Sequence, residues 1–226
     1  MPTSFQRDQG ERDAKTTNTT YYSTEFPKMI EGWRSNFKTP ALPFVYVELC
    51  HELGAEEPKE PDFWEDGQRA ALKLPFVGFA TTTDVDKSAL HPPDKQDIAP
   101  RLGLELQRLV YGKDVVARGP ELVTTAFSQA ASELTITLSN SSLVVTNGVV
   151  VPAPSGGCSS QTLSSAVMQV GSAEPPSFTI AGNTVVVKCK PGGPTTPVLI
   201  NGDAATCFLY SKDSGLPAPP LALPCA

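Results

Sequence analysis

Histidine, long apolar segments and clustered positive charge are all scarce in this sequence. The 226 residues include two histidines, and 18 Lys and Arg stand against 24 Asp and Glu, a formal net charge of −6. No basic run is longer than two residues, which argues against polyanionic partners such as nucleic acids and membrane surfaces. No apolar stretch approaches the roughly 18 residues that span a bilayer. The polar opening Met1–Thr24 has no signal-peptide core. We therefore expect a soluble chain with no nucleic-acid or membrane partner.

Several motifs of catalytic and metal sites are also missing. The sequence has no G-x-S-x-G elbow, no Gly-rich phosphate loop, no C-x-x-C pair and no H-E-x-x-H motif. The spacing of the five cysteines is unlike that of zinc ligands. A buried thiol at Cys50 and two disulfides among the other four would be natural, and three pairings remain open. Those four are Cys158, Cys189, Cys207 and Cys225.

Charge divides the chain into two unlike halves. Residues 1–118 hold 34 of the 42 charged side chains, whereas residues 119–226 hold 12 of the 22 prolines. The second half also has short β-branched runs between Ser-, Thr- and Gly-rich turns, a punctuation typical of a β-sandwich. We predict an α/β domain over 1–118 and an all-β, sandwich-like domain over 119–226, joined near Gly119-Pro120.

Hydrophobic periodicity in the first half alternates between helix and strand. Helical spacing covers Tyr21–Phe37, Phe63–Leu74 and Lys95–Tyr111, and apolar runs typical of buried parallel strands cover Pro43–Leu49 and Phe76–Thr83. This alternation is that of an α/β unit. Two strands make a small parallel sheet, so we expect a partner or further chain to complete it. The third helix has one apolar face, formed by Ile98, Leu102, Leu106, Leu109 and Val110.

His91 follows the second predicted strand and a polar loop that contains Asp84 and Asp86. Ligands and catalytic groups gather at the carboxyl ends of strands in open α/β sheets. An imidazole beside a carboxylate there has the parts of a general base and its orienting acid. Spacing alone nevertheless favours an ordinary surface histidine. His51, which lies in an acidic loop, is the weaker candidate.

Near the start, Asp8-Gln9-Gly10-Glu11 places a glycine between polar side chains. Backbone and amide donors in such a loop suit an oxyanion, because oxyanion stabilisation needs donors placed in advance. Taken alone, the segment is more simply interpreted as a polar N-terminal loop.

Several segments occur in an order that is similar to one known family. They are Gln9–Glu11, Tyr21–Arg34, Pro43–Leu49, Ala70–Ala80, Leu90–Lys95, Tyr111–Pro120 and Cys207–Pro220. In this order they resemble the latter half of the sialate O-acetylesterases, which are carbohydrate esterases of the SGNH-hydrolase type. The most specific matches are His91-Pro-Pro-Asp-Lys95 and Leu216-Pro-Ala-Pro-Pro220. The resemblance implies a partial SGNH-hydrolase domain, flavodoxin-like and three-layered, ahead of the β-sandwich.

The resemblance also implies roles for individual residues. His91 matches the catalytic histidine, which accepts a serine proton during attack on an acetyl ester. The family's loop before this histidine reads Asp-Leu/Ile-Gly-Asp, and Asp84-Val85-Asp86 fits it with the glycine missing. Asp86 and then Asp84 are therefore the candidates for the orienting acid. The position three residues before the histidine, an aspartate in other SGNH enzymes, is Ser88.

Gln9, Gly10 and Glu11 match the family's W-x-Q-G-E block, whose polar groups lie near the oxyanion. Arg7 stands where the family has tryptophan. The larger departure is the nucleophile, a serine in a G-Q-S-N block upstream of Q-G-E, because no such block occurs in the 226 residues. We therefore expect little or no esterase activity from this chain alone, with the serine-bearing N-terminal part as its partner.

The main hypothesis is hydrolysis of O-acetyl esters of sialic acid or related sugars, without a metal or organic cofactor. One alternative is a non-catalytic carbohydrate-binding or interaction protein that kept the scaffold, and another is a fragmentary reading frame. Aromatic residues in the β half would support the carbohydrate-binding alternative, but the four that are available are better explained as core residues. They are Phe127, Phe178, Phe208 and Tyr210. Glycosylation sequons at Asn18 and Asn140, with the cysteines, favour a secreted or lumenal protein. The family resemblance implies a secreted or a lysosomal or other lumenal location.

Overall fold

The structure is a computed structural model that describes ten ranges of the chain. They are residues 3–11, 13, 19–49, 67–85, 95–139, 142–147, 168–170, 177–189, 198–201 and 207–224. The chain divides into two units. The first comprises Met1–Thr82 and Ser88–Ala117, and the second comprises Thr83–Lys87 and Arg118–Ala226. Sequence analysis did not anticipate that the short segment after residue 82 packs with the second unit.

The first unit is built on a parallel sheet of three strands in the order β1-β2-β3. The strands are β1 (Phe5–Arg7), β2 (Phe44–Glu48) and β3 (Val77–Thr81). Every residue of β2 and β3 is buried, as the two apolar runs predict. Sequence analysis did not predict β1, which supplies a third strand and ends one residue before Gln9-Gly10-Glu11.

Helix α1 (Thr19–Asn36) covers one face of this sheet. Its residues Tyr22, Phe26 and Ile30, spaced at one helical turn, are buried in the same core as Phe44 of β2. The Phe26 ring meets that of Phe44 edge-on at 5.8 Å between centroids, an arrangement that aromatic pairs favour. The amphipathic helix predicted over residues 21–37 is thus observed with nearly the same bounds.

Two other helices differ from their predictions. Within the described part of residues 63–74, the chain forms a 3-10 helix at Arg69–Lys73, and Leu74 is extended with ψ 142°. Pro75 explains this end, since a proline disfavours helical geometry in the residue before it. Helix α2 spans Ile98–Leu109, shorter at both ends than predicted.

The buried face of α2 overlaps the predicted one only in part. Its buried residues are Ile98, which was predicted, and Arg101 and Glu105, which were not, whereas the leucines of the predicted apolar face are half-buried. Glu105 fits against the sheet because Gly78 of β3 has no side chain there. Arg101 donates from Nη1 to the Thr81 carbonyl at 2.7 Å. Hydrophobic periodicity did not predict the burial of Arg101 and Glu105, because these charged residues have partners in the folded protein.

In its described part, the second unit is all β and every strand pairing is antiparallel. Its strands are β4 (Leu122–Ser128), β5 (Glu133–Leu138), β6 (Leu143–Asn147), β7 (Met168–Val170), β8 (Phe178–Ala181), β9 (Thr184–Lys188), β10 (Val198–Ile200), β11 (Cys207–Ser211) and β12 (Leu221–Leu223). They form sheets in the orders β4-β5-β9-β8, β12-β10-β7 and β11-β6.

The core of this unit follows the two-residue period of its strands. Buried positions alternate along β5 and β9, so that Leu134, Ile136, Val185 and Val187 share one core. Cys189 is disulfide-bonded. The side chains of the other four cysteines lie outside the described residues. Among the described residues, neither helix is both long and apolar enough to cross a membrane.

Candidate functional site

The three parallel strands of the first unit end on the same side of their sheet. Asp8 follows β1, Leu49 follows β2, and Thr82 follows β3. The carboxyl edge of an open parallel sheet is where such folds bind ligands. The segments that resemble the Q-G-E and His-Pro-Pro-Asp-Lys blocks both follow strands that end there.

The Gln9–Glu11 segment has at its centre a glycine whose backbone conformation favours that residue type. Gly10 is buried and has φ 136°, a conformation that other residues rarely adopt. A β-carbon there would also lie 3.0 Å from the Tyr22 hydroxyl and 3.3 Å from Leu49. The Gly10 N–H donates to Glu11 Oε2 at 2.9 Å. Gly10 and Glu11, two of the three predicted oxyanion-side residues, are thus hydrogen-bonded to each other.

Arg7 occupies the position of the family's tryptophan and contacts the Gln9–Glu11 segment. Its guanidinium donates to Gln9 Oε1 and lies 5.7 Å from the centroid of the Phe26 ring, a cation–π arrangement. The Tyr22 hydroxyl donates to the Gln9 carbonyl at 3.4 Å. Burial raises the pKa of Tyr22 to about 12, although the nearby Arg7 charge opposes the rise. The phenol therefore stays neutral at physiological pH.

An ion pair joins the His-Pro-Pro-Asp-Lys block to the residue that precedes the Q-G-E segment. Lys95 Nζ lies 2.9 Å from Asp8 Oδ2, although 87 residues separate them in sequence. Lys95 ends the His-Pro-Pro-Asp-Lys block, and Asp8 directly precedes Gln9. The structure therefore brings the ends of these two blocks together at one edge of the sheet.

Asp84 is fully buried in the loop after β3, and its Oδ2 accepts the Tyr210 hydroxyl at 2.5 Å. Both residues belong to the second unit. On the first-unit side of this loop, Thr82 Oγ1 donates to the Glu48 carbonyl at 2.6 Å. The described part of the loop is therefore fixed by hydrogen bonds from two directions.

Sequence analysis missed a group of buried polar residues at the end of β2. Glu48 Oε1 pairs with Arg69 Nε at 2.7 Å. The Gln68 amide accepts from the Leu49 N–H at 3.0 Å and donates to the Val47 carbonyl at 3.1 Å. The signal was present, because a glutamate inside an otherwise apolar run needs a buried partner.

Some polar atoms near this edge have no such partner. Among the described residues, Glu48 Oε2, Thr81 Oγ1 and Thr83 Oγ1 are buried without a hydrogen bond. Leaving a buried acceptor unsatisfied costs about 1–3 kcal/mol. The ends of β2 and β3 therefore bury polar atoms whose hydrogen-bonding capacity the described residues do not use.

The two most important predicted residues, His91 and Asp86, lie outside the described residues, and so does His51. The structure places Gln9, Gly10 and Glu11 together after β1 and Asp84 after β3. In the part of the chain that is described, no group of three His, Cys, Asp or Glu side chains is arranged to hold a metal ion. Of the four aromatic residues of the β half, Phe208 and Tyr210 are buried, whereas Phe127 is exposed.

Comparison with known proteins supports the sequence resemblance. Residues 8–107 match the family model of carbohydrate esterases described as sialic acid-specific acetylesterases. The chain is 31% identical to human sialate O-acetylesterase over 123 residues, which is 46% of this chain and 24% of that protein. It is 30% identical to the rat sialate O-acetylesterase over 132 residues, 50% of this chain and 24% of that protein. The matched stretch is about a quarter of each curated relative.

The fold has a counterpart among solved structures. A crystal structure of a novel carbohydrate acetylesterase from Xanthomonas citri superposes with a TM-score of 0.75 at 24% identity, over 97% of this chain and 50% of that one. At that identity the likeness concerns the mixed α/β fold alone. Residues 8–107 match a family of carbohydrate esterases, and the fold of the chain is similar to that of a carbohydrate acetylesterase. Within that class, the matched stretch is similar to the sialate O-acetylesterases, which its sequence motifs also resemble.

Proposed function

We propose that this chain is the carboxyl-terminal part of a sialate O-acetylesterase-like enzyme that hydrolyses O-acetyl esters of sialic acid or related sugars. The observation that carries the proposal is the Lys95–Asp8 contact of 2.9 Å. It joins the end of the histidine block to the start of the Q-G-E block, at the carboxyl edge of a parallel sheet. The family match over residues 8–107 covers both blocks.

The proposed reaction is acyl transfer to water through an acetyl-enzyme. A serine attacks the acetyl carbonyl, His91 accepts the serine proton, and the same imidazole then protonates the departing sugar oxygen. Water repeats the cycle on the acetyl-enzyme, with His91 again as base, and releases acetate. The serine belongs to a G-Q-S-N block that these 226 residues do not contain. The chain therefore needs the serine-bearing part of the enzyme for full turnover.

The Gln9–Glu11 segment is proposed to stabilise the oxyanion of the tetrahedral intermediate. In the structure the Gly10 N–H donates to the Glu11 carboxylate, so this donor already faces a negative oxygen. During the reaction the oxyanion would take the place of that carboxylate. A backbone donor held in advance suits this role, because it needs little reorganisation.

Asp86 is proposed as the acid that orients His91, with Asp84 as the second candidate. Asp84 Oδ2 already accepts the Tyr210 hydroxyl. A carboxylate offers about four acceptor sites, so this bond does not remove Asp84 from the choice. The variants described below separate the two aspartates.

The finer architecture and location follow the same proposal. We assign residues 1–118 to a partial SGNH-hydrolase domain and residues 119–226 to a C-terminal β-sandwich-like domain. Disulfides among the cysteines, glycans at the sequons and a secreted or lysosomal location would fit this assignment. No metal or organic cofactor takes part in the proposed reaction.

The direct test is acetate release from O-acetylated sialic acid and from a generic acetyl ester. It compares the 226-residue chain, alone and supplemented with a serine-bearing N-terminal segment, with the His91→Ala variant. His51→Ala serves as a matched control. We expect release only with the segment present, lost in His91→Ala and kept in His51→Ala. Release that survives His91→Ala would contradict the proposed mechanism.

A further inference from the structure

The loop that follows β3 is held by the second unit. Thr83–Lys87 belongs to that unit, and the buried Asp84 accepts a hydrogen bond of 2.5 Å from Tyr210 of β11. Both side chains are at least nine-tenths buried. Hydrogen bonds between a hydroxyl and a carboxylate are short and about twice as strong as neutral ones, and exclusion of water preserves that strength.

Tyr210 is held in place as a hydrogen-bond donor because the backbone around it is hydrogen-bonded to a buried side chain. The fully buried Asn201 side chain donates to the carbonyls of Leu209 at 3.1 Å and Ala218 at 2.7 Å, and accepts from the Leu209 N–H at 2.8 Å. Tyr210 also forms a β-bridge with Pro217. The Asn201 amide therefore holds both Leu209, which precedes Tyr210, and Ala218, which follows Pro217.

We propose that Tyr210 is a positioning residue of the esterase site, and that it acts through Asp84 to fix the backbone where the chain leaves β3. The proposal rests on the proposed function, because it concerns the loop that leads to His91. Seven residues separate Asp84 from His91 in the sequence. Anchoring the start of this loop reduces the number of conformations that the residues after it can adopt. A catalytic group held in this way loses less entropy when the reaction begins.

The alternative is that the Tyr210–Asp84 bond serves only stability. Asp84 is buried in either case, so its burial does not separate the two explanations. The environment of the His91 ring does separate them. A purely structural bond would leave the environment of His91 unchanged once the protein is folded. A positioning bond would change it in the folded protein.

The test uses Tyr210→Phe, which removes the hydroxyl and keeps the ring, in the full 226-residue chain. Tyr111→Phe is the matched control, because Tyr111 is 71% exposed. Two readouts need no substrate. One is amide hydrogen exchange in peptides that cover residues 81–95, and the other is the NMR signal of the His91 ring, assigned with His91→Gln.

We expect Tyr210→Phe to speed exchange in residues 82–85 at least tenfold and to shift the His91 signal, with Tyr111→Phe like the wild type. An unchanged His91 signal would overturn the positioning role, whether or not exchange speeds up. Should Tyr210→Phe not fold, Asp84→Ala is compared with Asp84→Asn by the same readouts, since both remove the charge and only the asparagine still accepts the Tyr210 hydroxyl. The same shift is then expected in Asp84→Ala relative to Asp84→Asn, and its absence overturns the proposal.

Activity separates this proposal from the one on which it rests. Where the supplemented chain releases acetate, Tyr210→Phe should lower kcat about tenfold and leave KM unchanged. A chain that releases no acetate even when supplemented, yet shows the exchange and NMR effects, would contradict the proposed function and support the fixing of the loop.

Discussion

Glu105 of α2 packs its buried carboxylate against Gly78 of β3, where any side chain on residue 78 would collide with it. The carboxylate is held there by Arg108, whose Nη2 lies 2.6 Å from Glu105 Oε2. The close approach of this helix to the sheet therefore depends on the absence of one β-carbon.

Replacing Gly78 with alanine should destabilise the first unit. The new methyl group would meet both Glu105 and Leu109, and overpacking of this kind costs about 1–3 kcal/mol. Urea unfolding measures the change. Gly103→Ala in α2, the helix that packs against Gly78, is the control, since a β-carbon at residue 103 meets nothing within 4 Å. That control should leave stability unchanged or raise it by up to about 1 kcal/mol. Equal effects of the two variants would refute the packing argument.

Asn201→Ala should destabilise the second unit more than most polar substitutions. It removes an amide with three hydrogen bonds to backbone groups, and buried groups left without partners cost about 1–3 kcal/mol each. The unfolding free energy should fall by about 3 kcal/mol. Asn183→Ala provides a comparison, because its amide donates a hydrogen bond to one backbone carbonyl, that of Leu138, at 2.9 Å. A loss at Asn201 no larger than that at Asn183 would contradict this prediction.

Tyr22 should make the protein less stable in alkali. Its folded pKa of about 12 lies above the ordinary value of 10.0, chiefly because of burial. As pH rises past 10, the unfolded chain loses its phenolic proton first, so stability falls between pH 10 and pH 12. The loss should approach about 2 kcal/mol at the upper end. Unfolding free energies at several pH values, for the wild type and Tyr22→Phe, measure it. Parallel curves for the two proteins would show that Tyr22 contributes nothing.

The Lys95–Asp8 ion pair should contribute little to stability. Lys95 is 53% and Asp8 34% exposed at the side chain, and pairs of this kind are worth roughly 0.2–1 kcal/mol. A double-mutant cycle with Lys95→Met and Asp8→Asn should therefore give a coupling below about 1 kcal/mol that shrinks at high salt. A larger, salt-insensitive coupling would mean that this contact holds the two blocks together.

Asp84→Asn should separate the two candidate orienting acids. An asparagine oxygen still accepts the Tyr210 hydroxyl but carries no charge, so the loop should keep its protection from hydrogen exchange. If Asp86 orients His91, Asp84→Asn should retain most of the acetate release of the supplemented enzyme, and Asp86→Asn should lose it. Loss of activity in Asp84→Asn with the loop still protected would assign the role to Asp84.

Sequence reasoning located the elements that pack by hydrophobic period alone. The runs at Pro43–Leu49 and Phe76–Thr83 became β2 and β3, and the helix at Tyr21–Phe37 became α1. It failed where polar residues are buried. The face of α2 was assigned to leucines, but Glu105 is inside because Gly78, distant in sequence, leaves room for it. Such compensation depends on tertiary contacts that a local pattern does not contain.

The candidate site divides in a similar way. Gln9-Gly10-Glu11 were named as candidates from the sequence, and the positive φ of Gly10 gives a physical reason for its glycine. Tyr210 was expected to be a core ring, and it is buried. Its hydroxyl partner, however, lies 126 residues earlier in the chain. A pairing over that distance leaves no trace in periodicity or spacing.

The same separation has a consequence for the order in which the protein is made. Ribosomes add about 5–20 residues per second, so the 126 residues between Asp84 and Tyr210 take roughly 6–25 s to synthesise. The strands β1, β2 and β3 are complete well before then, but the donor for Asp84 emerges only with the last strands. The loop after β3 therefore reaches its final hydrogen bonding only after residue 210 has been synthesised, and a nascent chain halted before that residue would lack this bond.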